Sequence, residues 1–175
     1  ERSSRSHNIF QLGIPTKRNN NNIVENTNWI DSVECWDSFR AGRKAKVIYR
    51  KCIQESENIF RVIGSIDSNE YFEANHFREL KLIKTNEDIL SVYIFDYVNC
   101  KRTMNWRSYW HLGPNQKESF MDDMIKKLKN EHDFDYFWEN TWLSEGFGKR
   151  IPRRTLCLCG QISPGKYTFS HHIKV

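Results

Sequence analysis

Apolar and polar residues alternate with a period of two along much of the chain. The clearest runs fall at residues 45–49, 90–95, 156–159 and 167–172. Because successive side chains of a β-strand point to opposite faces, this spacing places one face of each strand against a core. Short runs of this kind, separated by turns, are typical of packed antiparallel sheets. The pattern predicts an all-β fold: an antiparallel β-sandwich of stacked sheets with at most one or two short helices.

Turn-forming residues divide these runs. Four segments are predicted as turns: Gly13-Ile14-Pro15, Asp67-Ser68-Asn69, Thr85 to Asp88, and Ser163-Pro164-Gly165. Gly, Pro, Asn, Asp and Ser favour turns through their backbone conformations or their short polar side chains. The run Asn19 to Asn22 is interpreted as an exposed loop.

One segment has helical spacing instead. Its apolar positions are Phe120, Met121, Met124, Ile125 and Leu128. Acidic residues come early in this segment and lysines late, which suits the helix dipole. A short helix, or else an irregular excursion from the strand pattern, is therefore predicted over residues 120–128.

The composition is that of a globular chain. Of 175 residues, 38% are hydrophobic and 28% charged, which is unlike a disordered segment. No apolar run reaches the roughly 20 residues that span a bilayer. Aromatic residues make up 14%, which suits a β-rich core or a surface that stacks on flat ligands. The chain begins with Glu1, so a leader has been removed or the sequence starts inside a longer protein.

On charge alone, the net charge of +5 is most simply interpreted as a mildly basic solvated surface. A basic surface also attracts nucleic acid, acidic polysaccharide or anionic lipid, and charge does not choose among them. The five cysteines have no metal-binding spacing and are interpreted as buried thiols, with the redox compartment left open. The sequence has no Gly-rich phosphate loop, nucleophile elbow or H-E-x-x-H motif, so nucleotide-binding and hydrolase functions gain no support.

Five ordered blocks carry a family resemblance. They are Arg2 to Asn8, Glu34 to Ala45, Asn69 to Asp96 (with Tyr71, His76, Arg78 and Ile94), Tyr109 to Pro114, and Trp142 to Gly148. They resemble, in order, the family's R-S-x-x-x-H-N-T, G-R-R-A-like, G-Y with H-x-R and I-x-D, H-L-x-P, and S-x-x-Y-G elements. Ile9 replaces the usual Thr and Asn69 the usual Gly. In these blocks the chain resembles the C-terminal β-sheet domain of heparinase II/III-like polysaccharide lyases.

The resemblance implies a role within a larger enzyme. Residues 1–175 would form a single β-sandwich domain, the C-terminal fragment of a longer lyase whose N-terminal α-toroid is absent. The family cleaves uronic-acid-containing polysaccharide by β-elimination, with catalytic residues mainly in the toroid. This chain is therefore expected to support the toroid and to be inactive alone. Its partners would be acidic polysaccharide and the N-terminal catalytic domain of the same protein. The family is bacterial, and a periplasmic or secreted location is favoured, with a cytoplasmic one open.

The resemblance also implies the site residues. His7 matches a histidine that binds a structural metal, zinc or another divalent ion, together with a His and an Asp from upstream strands. Neither partner is identified in this chain, so the site would be incomplete here, and a surface or capping histidine is the alternative. Arg5 and Asn8 are the candidate substrate-binding residues. Arginine binds carboxylate or sulfate bidentately, whereas an asparagine beside a turn is also a common backbone cap. No catalytic residue is assigned.

Two pairs of polar residues are predicted to share strand faces. His76 and Arg78 form one pair and Tyr109 and His111 the other, and cross-strand packing and hydrogen bonding is the favoured role for both. His171 and His172 lie on opposite faces of a strand, so they cannot chelate one metal together.

Two other functions stay open. One is a free-standing carbohydrate-binding β-sandwich without a catalytic partner. The other, less favoured, is a basic nucleic-acid-binding module, because the positive charges are spread along the chain and mixed with 22 acidic residues.

Overall fold

Strands β5, β8, β11 and β12 contain the alternating runs of the sequence. The computed structural model describes residues 8–16, 23, 25, 27–29, 33–35, 41–44, 47–66, 73–85, 90–146 and 149–174. Its strands are β1 (Phe10–Pro15), β2 (Thr27–Trp29), β3 (Val33–Cys35), β4 (Ala41–Lys44), β5 (Val47–Ser56), β6 (Ile59–Ile66), β7 (Ala74–Lys84), β8 (Leu90–Cys100), β9 (Met104–His111), β10 (Asp135–Gly146), β11 (Lys149–Ile162) and β12 (Gly165–Lys174). A 3₁₀ turn (Glu118–Met121) leads into helix α1 (Asp122–Glu131).

Two five-stranded sheets contain most of these strands. Sheet I has the order β10-β11-β9-β1-β2, and sheet II has the order β12-β8-β7-β6-β5. Strands β3 and β4 form a separate two-stranded sheet. Every strand pairing in the described part of the chain is antiparallel. The predicted all-β antiparallel sandwich is confirmed.

The core lies between the inner faces of the two sheets. Phe10 and Trp106 of sheet I stack with ring centroids 5.6 Å apart. Phe169 of sheet II lies 4.8 Å from the Phe10 ring and 4.7 Å from the Trp106 ring. All three side chains are buried. Rings at such distances and tilts add to the free energy gained by burying their area, so this trio holds the sheets together.

The helix covers one end of this core. Met121, Met124, Ile125 and Leu128 are buried as their spacing predicts. Phe120 is 39% exposed, because it lies in the 3₁₀ turn, whose tighter winding rotates it away from the buried stripe. The helix continues to Glu131, three residues beyond the predicted end, where the His132 N–H donates to the Leu128 carbonyl.

The turn predictions have different outcomes. Ser163-Pro164-Gly165 does connect β11 and β12. The prediction for Gly13-Ile14-Pro15 is wrong, since these residues end β1 and pair with β2. A Cβ at Gly13 would lie 2.2 Å from the Thr27 methyl, so glycine there permits close strand approach and not a turn. Residues 67–69, 86–88 and 19–22 lie outside the described residues.

Sheet II extends beyond the core at its β5–β6 end. The core residues of this sheet come from β7, β8 and β12. The alternation at residues 45–49 predicts a buried face, yet Val47 is 57% exposed and Tyr49 41%. That prediction is wrong for β5, because alternation marks two faces without showing that either is covered. No helix in the described part of the chain is long and apolar enough to cross a membrane.

We expect Gly160→Ala to destabilise the sandwich. A Cβ at Gly160 would lie 2.9 Å from the indole nitrogen of Trp106 and 3.0 Å from the Asp133 carbonyl oxygen. Overpacking of this kind costs about 1–3 kcal/mol. Gly64→Ala is the matched control, because a Cβ there meets nothing within 4 Å. Urea unfolding should show a lower midpoint for Gly160→Ala alone, and equal midpoints would contradict the packing described.

Candidate functional site

A buried carboxylate lies at the centre of the sandwich. Val92, Ile94, Asp96 and Val98 share the inner face of β8, so the alternation that buries its apolar neighbours also buries Asp96. Its side chain is fully buried. A carboxylate in this position is very unfavourable unless charged and hydrogen-bonding partners surround it.

Two residues of β7 supply those partners. Arg78 lies opposite Asp96 in the strand register and donates from Nε to Oδ1 (2.7 Å) and from Nη2 to Oδ2 (2.9 Å). Nε2 of His76 lies 2.7 Å from Oδ1. The prediction that His76 and Arg78 share a face and hydrogen-bond across strands is confirmed. Asp96 was not predicted as their partner.

These contacts keep Asp96 ionised. Burial by itself raises the pKa of the carboxyl group. The charge of Arg78 and the hydrogen bond with His76 act in the opposite direction and outweigh it, so the pKa lies well below its usual range. The bidentate Arg78–Asp96 pair is the geometry in which such an ion pair is strongest.

His171 lies on the other side of the carboxylate. Its Nε2 is 3.7 Å from Asp96 Oδ2, and its ring packs 4.7 Å from that of Trp110. Neither ring nitrogen has a hydrogen-bond partner among the described residues. Burial lowers the pKa of His171 to about 4, so the ring is neutral at neutral pH.

Asn8 connects this cluster to both sheets. Its main-chain oxygen accepts a hydrogen bond from Arg78 Nη1 at 2.9 Å, and its Oδ1 accepts one from the His111 N–H at 2.7 Å. Arg78 belongs to sheet II and His111 to sheet I. The chain is therefore held from two sides where it enters β1. We call Asp96, Arg78 and Asn8 the anchor relay.

A polar row continues from His111 along the outer face of sheet I. Nδ1 of His111 lies 2.6 Å from Thr155 Oγ1, which lies 2.6 Å from Thr141 Oγ1. Tyr109 stacks near His111, as expected for residues sharing a face. The Arg107 guanidinium lies 4.1 Å from the centre of the Trp29 ring, and Nε donates to Gln11 at 2.8 Å. Arg107 was not among the predicted site residues, although its alternation with Tyr109 and His111 places it on their face of the strand.

The described cysteines differ in their exposure to solvent. Cys100, Cys157 and Cys159 are buried, as predicted, whereas Cys52 is exposed. Burial raises the pKa of Cys157 to about 12 and that of Cys159 to about 11. Both thiols are therefore protonated and unreactive at neutral pH.

The predicted site residues lie mostly beyond the described part. Arg5 and His7 fall outside the described residues, and their roles stay predictions. Asn8 is exposed, and its Oδ1 accepts from the N–H of His111, 103 residues away in the chain, so this bond is not a local turn cap. Its role in substrate binding also stays a prediction. The anchor relay places Asn8 directly beside the segment that carries the other two.

The described residues do not fit a metal ion. No group of three or more His, Cys, Asp or Glu side chains in the described ranges could hold one. Asp96 has two histidines nearby, but Arg78 occupies both of its oxygens, and a guanidinium in that position repels a cation. The prediction of a metal at His7 is untested by this geometry.

Comparison with known proteins defines the class of fold. The described sandwich has a heparinase-like β-fold. It is similar to two solved structures of heparan sulfate lyase HepC from Pedobacter heparinus, one of them a mutant. Each match has a TM-score of 0.53 and 18% identity, and covers 75% of this chain but 22% of the lyase chain. No family model matches the chain, and no curated protein matches it in sequence. At this identity the likeness shows the fold.

We expect removal of Arg78 to be severely destabilising. Arg78→Met leaves the Asp96 charge buried without its main partner, which costs about 3–5 kcal/mol. Arg61→Met is the matched control on neighbouring β6, where the guanidinium pairs with the partly exposed Glu55 and Glu79. The loss of stability in Arg61→Met should be clearly smaller than in Arg78→Met. Adding Asp96→Asn to Arg78→Met should recover stability in urea unfolding, and no recovery would contradict a charge-based explanation.

We expect His171 to make the fold sensitive to mild acid. With a pKa of about 4 in the folded state and about 6.5 unfolded, the unfolded chain binds the proton first as the pH falls. Stability is complete above about pH 6.5 and decreases by roughly 2–3 kcal/mol towards pH 4.5. His171→Phe should flatten this dependence, measured by urea unfolding at several pH values. His172→Phe, on the opposite face, should keep most of the pH dependence of stability. Identical pH profiles for the two variants would refute the assignment of this dependence to His171.

Proposed function

We propose that this chain is the C-terminal β-sheet domain of a heparinase-like lyase that cleaves uronic-acid-containing polysaccharide by β-elimination. In this role it supports a catalytic toroid and does not catalyse the reaction alone. The heparinase-like fold supports the proposal, as do the five ordered sequence blocks. The aligned region is 22% of the solved lyase chain, so most of such an enzyme lies outside the similarity.

The anchor relay is the observation that carries the proposal. It fixes the main chain at Asn8, one residue after His7 and three after Arg5. A segment that contacts substrate must hold its side chains in place, and hydrogen bonds from Arg78 and His111 hold its end from both sheets. Because the buried Asp96 orients Arg78, the position of Asn8 is tied to the core and not to a surface loop.

The chemistry explains why the sheet domain is inactive without the toroid. β-Elimination requires a base for the proton beside the carboxylate, neutralisation of that carboxylate, and an acid for the departing glycosidic oxygen. All three must contact one sugar at once. In the proposal Arg5 and Asn8 contribute to binding the acidic sugar, and the base and acid come from the toroid. His7 would serve a metal completed by upstream residues, and no step of the reaction is derived through it.

A free-standing carbohydrate-binding sandwich is the second candidate. The outer face of sheet I favours it, because the half-buried Trp29 and Arg107 lie side by side there, with the guanidinium 4.1 Å from the ring centre. An aromatic ring packs on sugar rings and a cation pairs with their acidic groups. This alternative requires no toroid.

Ultraviolet absorbance of unsaturated uronate product tests the proposal. This chain and a longer protein that contains it would each be incubated with heparan sulfate, hyaluronan and alginate. We expect product from the longer protein on at least one substrate and none from this chain. If neither protein forms product, the proposed lyase function is wrong. If the isolated 175-residue chain forms product, its proposed role as a non-catalytic support is wrong.

We expect Asn8→Ala in the longer protein to reduce kcat by about 10- to 100-fold. The variant removes the bond to the His111 N–H and loosens the segment that carries Arg5, and misplacement of this kind costs about that much in rate. Asn28→Ala, an exposed residue on β2, is the matched control and should keep full activity. The main-chain bond from Arg78 remains in this variant. Unchanged kcat in Asn8→Ala, with an unchanged melting temperature, would therefore contradict the role of the Asn8–His111 contact in positioning this segment.

A further inference from the structure

The outer face of sheet II presents a row of residues that crosses all five strands. Register places Tyr49 opposite Ser65, Ser65 opposite Phe77, Phe77 opposite Tyr97, and Tyr97 opposite Thr168. We call this set the aromatic row. It faces away from Asp96 and from the anchor relay, because side chains of adjacent strand residues point to opposite faces.

The rings of the row are held in place and partly exposed. The Tyr49 and Phe77 rings lie 5.4 Å apart and reach towards each other across Ser65. The Ser65 hydroxyl is itself engaged, donating to the His76 carbonyl at 2.8 Å. Tyr97 stacks against Phe95 at 6.2 Å and is 40% exposed. Large aromatic side chains exposed together on one face are unusual unless that face binds something.

A depression of about 430 Å³ opens at one end of the row. The side chains that line it include Asn75, Phe77, Tyr97, Asn99, Lys166 and Thr168. This combines two aromatic rings with two amides, a hydroxyl and an ammonium. Ligand sites for small molecules are commonly of this size, with apolar walls and a few convergent polar groups.

The charge of this face is positive. Among the described residues, no carboxylate lines the depression and Lys166 has no ion-pair partner. Glu79, two residues beyond Phe77 on the same face, pairs with Arg61. An anionic ligand would therefore meet an available ammonium in a depression whose described lining carries no carboxylate.

Sugar rings fit these groups better than a protein partner does. Pyranose rings present flat C–H faces to aromatic rings and hydroxyls to amides, and uronate or sulfate groups pair with an ammonium. The centres of protein interfaces are depleted in lysine, whereas here Lys166 lies within the depression.

We propose that the aromatic row and its depression form a second, non-catalytic site for anionic glycan. The ligand is an acidic oligosaccharide with uronate or sulfate groups, and the choice of that class rests on the proposed function. The site lies on the opposite side of sheet II from the anchor relay. It would retain a polysaccharide chain on the domain while another stretch of it is cleaved elsewhere, which raises its effective concentration.

Titration calorimetry of the 175-residue chain tests this proposal. The probes are size-defined oligosaccharides of heparan sulfate, hyaluronan and alginate, with a neutral glucan and single-stranded DNA for comparison. We expect binding of at least one acidic oligosaccharide and weaker binding of the neutral glucan. No binding of any acidic oligosaccharide would overturn the proposal, and so would equal or tighter binding of the DNA, which would indicate a nucleic-acid or general polyanion surface.

Matched variants test the location of the site. Tyr97→Ala should weaken binding about tenfold and Tyr97→Phe much less, because phenylalanine keeps the stacking ring. Lys166→Gln should weaken binding about fivefold and reduce its salt dependence. The controls are Tyr136→Ala, a similarly exposed tyrosine on β10, and Lys174→Gln at the far end of β12, and both should bind as the parent does. Equal losses in variants and controls would overturn the assignment.

Lyase assays distinguish this proposal from the proposed function. If the longer protein is inactive and this chain still binds acidic glycan through Tyr97, the second site stands and the lyase function fails. If the longer protein is active and this chain binds no acidic glycan, the second site fails alone. Tyr97→Ala in an active longer protein should leave the turnover of short oligosaccharides unchanged and raise KM for long polysaccharide. An unchanged KM for the long chains would contradict the retention role.

Discussion

The structure depends on one buried ion pair, between Asp96 and Arg78. An isolated carboxylate between two sheets would cost more than the surrounding apolar packing returns, so the guanidinium must lie opposite it. This requirement fixes the β7–β8 register at one position, since a shift by one residue would turn every inward side chain outward. It also directs Nη1 of Arg78 towards the main-chain oxygen of Asn8, so the same ion pair positions the chain where it enters β1. The same ion pair thus contributes to the stability of the core and fixes the position of Asn8 in the candidate site.

The inner and outer faces of the two sheets carry different groups of residues. The inner faces form the core around Phe10, Trp106 and Phe169, with Asp96 beside them. The outer face of sheet I carries a hydrogen-bonded row that reaches Asn8 through His111. The outer face of sheet II, farthest from that segment, exposes aromatic rings next to Lys166. Rigid strands can present separate surfaces in this way without one disturbing the other, because strand residues alternate strictly between faces.

The local sequence pattern predicted the fold class and several elements. It did not predict features that depend on packing between distant strands. Alternation identified strands β5, β8, β11 and β12, and helical spacing identified α1 to within a few residues at its ends. Gly13-Ile14-Pro15 was misread because glycine and proline favour turns but also occur where strands approach closely or end, and the neighbouring β2 makes the choice. The exposed β5 was misread for a similar reason. Its alternation resembles that of β8, but the described core reaches only β7, β8 and β12.

The sequence by itself determined the strand class of the chain and which near neighbours share a face, such as His76 with Arg78 and Tyr109 with His111. These relations follow from the two-residue period and need no knowledge of distant contacts. Only the tertiary structure decided that Asp96 is the partner of Arg78, that both sheets hold Asn8, and that Tyr49 and Tyr97 lie in one row with Thr168. These groupings join residues from 18 to 119 positions apart in the chain. They depend on strand register, which the burial of whole faces sets and no local stretch of residues encodes.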